Sequence, residues 1–204
     1  MGRLQLLPSP PAPMITADEA CLDVFQRELA YVHRSLRRLG TAPPDLDDLA
    51  QDVFVALRRA WPAVDQTRPL RPYLFGIAFR IAAAHHRKRR REVAFGVLEV
   101  LDPAPSTDEL LAAKRTHALV LSALDQIPLP RRAALVMHDV DGVSVRQVAS
   151  ALRIPRFTVY SRLRKARVEL ERIVRRTLGV RARVEKDAVN KRRSSGSTRR
   201  ERDE

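Results

Sequence analysis

Arg156, Tyr160, Arg164 and Arg167 recur at intervals of four, four and three residues. At about 100° per residue they fall on one edge of a helix. A guanidinium is a planar fork of donors that fits the acceptor edge of guanine and clamps phosphate oxygens, so such an edge can lie in the major groove of DNA. An ordinary amphipathic helix with solvated arginines has the same pattern, and on the arginines alone both readings stand.

A second group has the opposite charge. Asp47, Asp48, Gln51 and Asp52 crowd one side of a predicted helix in a chain of net charge +14. Such a face suits a basic protein partner better than DNA. Acidic residues also favour a helix N-terminus, so a merely solvated face remains equally open. In a third group, Tyr73, Phe75 and Phe79 interleave with arginines ahead of the basic run Arg87 to Arg91. Aromatic faces stack on unpaired bases while cations hold the backbone, a gain of about 1 to 3 kcal/mol per base. Leu74, Ile77, Ala78 and Ile81 keep helical spacing through the same stretch, so Phe75 and Phe79 can equally be core. The basic run can be a nonspecific phosphate contact.

The elements that must position these groups are helices. Ser144 can cap a helix whose Val145, Val148, Ala149 and Leu152 line one buried face, with Arg146, Gln147 and Ser150 outside. Arg153-Ile154-Pro155 interrupts it, because proline lacks an amide hydrogen yet suits the first turn of a new helix. Val159, Leu163, Ala166 and Leu170 then form the apolar stripe of a second helix. Two helices and a tight turn are a DNA reader's layout, although Arg153 and Phe157 stand where small residues would be easiest. Upstream, Asp45 can cap a helix whose inner face is Leu46, Leu49, Val53 and Leu57.

The residues from Ala123 to Leu170 resemble region four of the extracytoplasmic-function sigma factors. Leu124, Ile127-Pro128, Arg132, Asp141-Gly142-Val143-Ser144, Thr158-Val159, Ser161-Arg162 and Ala166-Arg167 carry the likeness. It implies minus-35 promoter recognition by Arg156, Tyr160, Ser161, Arg164, Lys165 and Arg167. Tyr160 stands where the family usually has a basic residue. The block Leu46 to Trp61 followed by Pro69 to Arg91 resembles region two of the same family. That implies a polymerase-binding surface of Asp47, Asp48, Gln51, Asp52 and Val55, and minus-10 contacts from Tyr73, Phe79, Arg80, Arg87, Lys88, Arg89 and Arg90. Phe79-Arg80 replaces the family's Arg-Asn, and Tyr73 its tryptophan. The implied partners are core RNA polymerase, through its beta-prime clamp helices and beta flap, promoter DNA and possible capture by an anti-sigma factor. A polymerase-independent helix-turn-helix regulator is the alternative.

Composition agrees with that outline. The sequence has 204 residues, 45% of them hydrophobic and only 5% aromatic, which suits small helical bundles. Thirty-eight Lys and Arg against 24 Asp and Glu predict attraction to DNA, RNA or an anionic surface. No apolar run approaches the roughly 20 residues that cross a bilayer, and Pro8, Pro10, Pro11 and Pro13 interrupt the N-terminus too early for a signal peptide. A cytoplasmic location is expected. A lone Cys21 predicts a small buried hydrophobe. His85 and His86 point about 100° apart on a helix, and they and His138 lack metal-ligand spacing. Without a nucleophile or glycine-rich phosphate motif, neither an enzyme nor a cofactor is expected.

The predicted fold is all-α, with two small helical modules. Residues 1–17 are expected to lack structure, 18–92 to form the first module, 93–112 a flexible linker containing Asp102-Pro103-Ala104-Pro105, 113–178 the helix-turn-helix module, and 179–204 a basic unstructured tail. That tail holds nine basic and five acidic side chains from Arg181 onward.

Overall fold

A computed structural model describes residues 16–94 and 111–197, and every regular element among them is helical. Helix α1, Ala17–Arg38, opens on a reciprocal cap. The Thr16 hydroxyl accepts from the Glu19 amide while the Glu19 carboxylate accepts the Thr16 amide hydrogen at 2.8 Å. It closes where the Thr41 amide reaches back to the Leu36 carbonyl, a reversal that needs the left-handed backbone of Gly40 at φ 89°.

Helices α2, Leu46–Ala60, and α3, Leu70–Ala94, complete the first bundle. Phe25, Val32 and Leu36 of α1 meet Leu49, Val53 and Leu57 of α2 and Leu74, Phe75 and Ala78 of α3 in a shared core. Each large apolar side chain buried there stabilises the fold by about 1.5 to 3 kcal/mol. Cys21 is fully buried in this core, as a small hydrophobe should be. Asp45 does not cap α2 as the sequence suggests. It closes a short 3-10 turn, Pro43–Asp45, its side chain makes no cap bond, and its carboxylate turns instead to His85 at 3.3 Å and Arg89 at 3.5 Å on α3.

The second bundle comprises α4, Leu111–Asp125, α5, Leu129–Leu135, α6, Val145–Leu152, and α7, Arg156–Ser197. α5 runs into a wide π-helical turn at Val136–Val140, in which the Asp141 amide donates to the Val136 carbonyl at 2.9 Å. Ile127, Val136, Met137, Val148, Val159 and Ala166 are buried between these helices. Arg132 is buried too, held by the Asp125 carboxylate at 2.7 Å and by the carbonyls of Asp125 and Ile127. The α7 backbone continues as helix to Ser197. No proline follows Pro155, and the Arg, Lys, Glu and Ala of that stretch are good helix formers. Most of the expected linker, residues 95–110, and the expected unstructured stretches at 1–15 and 198–204 lie outside the described residues.

The two bundles are docked, with α3 against α6 and α1 against α4. A methyl group on Gly76 of α3 would stand 2.5 Å from the Ala151 carbonyl oxygen, so only glycine permits that approach. The Asp141 carboxylate accepts from the Tyr31 hydroxyl and pairs with Arg38, each at 2.9 Å. Gly40 lies directly beneath the Arg132 and Asp125 side chains.

Candidate polymerase and nucleic-acid interfaces

The α2 face forms because Leu49, Ala50, Val53 and Leu57 turn inward, leaving Asp47, Asp48, Gln51, Asp52 and Val55 exposed on the opposite side. Asp47 approaches His33 at 3.4 Å. The side chains of Asp48, Gln51 and Asp52 make no ion pair or hydrogen bond among the described residues. Val55 is 37% exposed in their midst, an apolar spot within an anionic patch, which is the mixture that a basic partner with an apolar centre can cover.

On α3 the sequence left aromatic roles open, and the structure separates them. Phe75 is fully buried and belongs to the core. Phe79 is half-buried and packs against that core. Tyr73 is 37% exposed. Arg80 is exposed, but its guanidinium sits 3.5 Å from the Ala151 carbonyl of the other bundle. Burial and the nearby Arg153 charge lower its proton affinity. Farther along, Lys88 pairs with Glu92 and Arg89 with Asp45, whereas Arg87 and Arg90 have no ion pair among the described residues. Phe79, Arg80, Arg87 and Arg90 border a groove of about 1090 Å³ whose other wall includes Arg132 and Asp125.

The helix-turn-helix has the predicted burial except at Val145 and Leu170, which are half-buried. The Ser144 hydroxyl accepts from the Gln147 amide, Val148, Ala149 and Leu152 are buried, and Val159, Leu163 and Ala166 are buried on α7. Arg153 ends α6 in the left-handed region, φ 53° and ψ 50°, where glycine is favoured. Arg156, Tyr160, Ser161, Arg164 and Lys165 are exposed along one side of α7. Arg167 is exposed but engaged. Its guanidinium donates to both oxygens of Asp139 at 2.9 and 2.7 Å, and those bonds hold the Asp139 carboxyl below its usual range. The sequence holds no signal for that pair, which is 28 residues apart and crosses from the wide turn to α7. Phe157, which the sequence singled out only as bulky, is 74% exposed beside Arg156.

The histidines serve contacts within the fold. His86 lies 3.0 Å from the Leu39 carbonyl, and His138 Nδ1 lies 2.8 Å from the Val143 carbonyl. Burial pushes the His86 pKa down.

Comparison with known proteins places this geometry. The sigma-70 region 2 model matches residues 24–92, and the sigma-70, region 4 model matches residues 117–170. The chain is 30% identical over 151 residues to RNA polymerase sigma factor CnrH of Cupriavidus metallidurans, covering 69% of this chain and 79% of that protein. It is 31% identical over 162 residues to the ECF RNA polymerase sigma factor SigL of Mycobacterium tuberculosis, covering 77% and 89%. The structure of CnrH in complex with the cytosolic domain of CnrY superposes with a TM-score of 0.57 at 25% identity, covering 78% of this chain and 92% of that one. The chain therefore belongs to the sigma-70 family of RNA polymerase sigma factors, in its extracytoplasmic-function group. Its function is a sigma factor's, the direction of RNA polymerase to promoters; members of this family are not themselves enzymes. Among the described residues no helix is long and apolar enough to cross a membrane.

Proposed function

We propose that the first bundle docks on core RNA polymerase through Asp47, Asp48, Gln51, Asp52 and Val55, with the beta-prime clamp helices as the surface covered. In the same reading, Tyr73, Phe79, Arg80 and the Arg87, Lys88, Arg89 and Arg90 run hold the minus-10 element. Bases leaving the duplex stack on the exposed ring of Tyr73, and the binding energy offsets the few kcal/mol of unstacking. Arg156, Tyr160, Ser161, Arg164 and Lys165 on α7 read the minus-35 element, while Arg167 keeps α7 fixed to the wide turn through Asp139. The second bundle also meets the beta flap. Phosphodiester chemistry stays with the polymerase, and the work is cytoplasmic. An anti-sigma factor is a further partner, by analogy with the sigma factor RpoE of Bartonella quintana in its complex with the anti-sigma factor NepR.

The observation that carries this reading is the separation of charge: an anionic exposed face on α2 and a cationic exposed edge on α7 in one chain. The two promoter elements lie about two helical turns apart, roughly 70 Å. Arg80 and the α6 backbone are in contact in the docked arrangement, so reading both elements together requires the bundles to separate.

The test is run-off transcription and binding with purified core enzyme. Promoter-specific transcripts are expected, and Asp48→Arg or Asp52→Arg should weaken polymerase binding at least tenfold without altering DNA binding by the chain alone. Specific DNA binding by the chain alone, indifferent to core enzyme and to both substitutions, would instead identify a free-standing regulator.

A further inference from the structure

A cleft of about 830 Å³ opens between the bundles, with Tyr73 and Arg80 on the α3 side and Arg146, Ser150 and Arg153 on the α6 side. Its charge is uneven. Arg68 and Asp65 neutralise each other at 2.8 Å on one rim, but Arg80, Arg146 and Arg153 have no carboxylate partner among the described residues. Docking has therefore brought three guanidinium groups from two bundles to one concave surface. Burial and the opposing Arg153 charge both weigh against the charged form of Arg80. Arg153 occupies its place at a backbone cost, since φ 53° favours glycine and disfavours any residue with a Cβ. A strained position that holds an arginine rather than the easier glycine points to a use for the guanidinium.

We propose that this cleft is a binding site for a phosphate chain, built jointly by Arg80 of α3 and by Arg146 and Arg153 of the helix-turn-helix. A run of two or three phosphates has the charge to satisfy three guanidinium groups, each of which offers paired donors to phosphate oxygens. The volume lies within the range of small-ligand sites, roughly 300 to 1,000 Å³. Because its walls come from different bundles, an occupant binds the docked arrangement and not the separated one. Mass action then shifts the population toward docking and keeps Arg80 away from DNA.

Calorimetric titration of the full chain tests this with two probes, inorganic tripolyphosphate and a short single-stranded oligonucleotide. Saturable tripolyphosphate binding, weakened at least tenfold by Arg80→Ala and by Arg153→Gly but not by Arg59→Ala on α2, is the expected result and identifies a free polyphosphate. The same pattern with the oligonucleotide alone is promoter-strand binding by Arg80 and overturns the proposal. Arg153→Gly also controls for folding, because removing the Cβ relieves the left-handed strain and should raise the melting temperature of the unliganded chain. No saturable binding of either probe, or an equal loss in Arg59→Ala, overturns the proposal.

Discussion

Tyr31 donates its phenolic hydrogen to the Asp141 carboxylate at 2.9 Å, tying α1 to the start of the helix-turn-helix across 110 residues of chain. Arg38 takes the other oxygen of the same carboxylate, whose side chain is only 11% exposed. Asp141→Asn keeps the shape and removes the charge. Hydrogen bonds to charged groups contribute about 1.5 to 3 kcal/mol, so a loss of that order in urea unfolding is expected. A double-mutant cycle with Tyr31→Phe should show a coupling above about 0.5 kcal/mol. A coupling of zero means that the bundles are not joined there.

Gly76→Ala separates docked from undocked bundles by the sign of its effect. Within an isolated helix, alanine is favoured over glycine by about 1 kcal/mol. Against the Ala151 carbonyl a new methyl would stand at 2.5 Å, and overpacking of that kind costs about 1 to 3 kcal/mol. A lower melting temperature is expected. A higher one would show that α3 and α6 are apart in solution.

Arg164 and Arg167 share an edge of α7 but should differ in effect. Arg164→Ala should relax base preference at one minus-35 position by about 1 to 3 kcal/mol, as read by selection from a randomised promoter element. Arg167 is held by Asp139, so its replacement should leave the selected sequence unchanged and lower stability slightly. Partly exposed pairs of this kind contribute about 0.2 to 1 kcal/mol. A changed selected sequence in Arg167→Ala would place that guanidinium on DNA.

His86 gives the fold a pH dependence on the acidic side. Burial lowers its pKa from an ordinary value of 6.5, so below that pH the unfolded chain binds a proton that the folded chain refuses. Stability is fully present above about pH 6.5 and falls as the pH drops toward the depressed folded value, with a slope of at most about 1.4 kcal/mol per pH unit. His86→Gln should flatten that slope in denaturant unfolding between pH 7 and 5. An unchanged slope would assign the effect to other groups.

Much of this was legible because it is periodic. The apolar stripes of α2, α6 and α7 repeat at helical spacing, and burial followed them at Leu49, Val53, Val148, Val159 and Leu163. The exposure of the α2 acids and of Arg156, Tyr160 and Arg164 is the complement of those stripes. Local pattern could not divide Phe75 from Phe79, because both lie on a helix covered on more than one side, and how far each ring is buried depends on what packs there. Nor could it show that Asp45 faces α3 instead of its own helix, or that Arg167 is occupied by Asp139. The docking of the bundles rests on Tyr31, Arg38, Gly76, Asp141 and Ala151, whose partners are distant in sequence and whose residue types are unremarkable singly. An arginine in a left-handed turn was visible as an oddity, but its opposition to Arg80 was not.

The wide turn at Val136–Val140 carries one residue more than a regular helix would use for the same reversal. That surplus sets the azimuth of everything beyond it. Were the chain one residue shorter there, an ordinary helical turn would swing the Asp141 carboxylate by about 100°, away from Tyr31 and Arg38, and the reading helix would leave the turn on a different bearing. The spacing in this short stretch is therefore a phase constraint, which an insertion or deletion of a single residue would break.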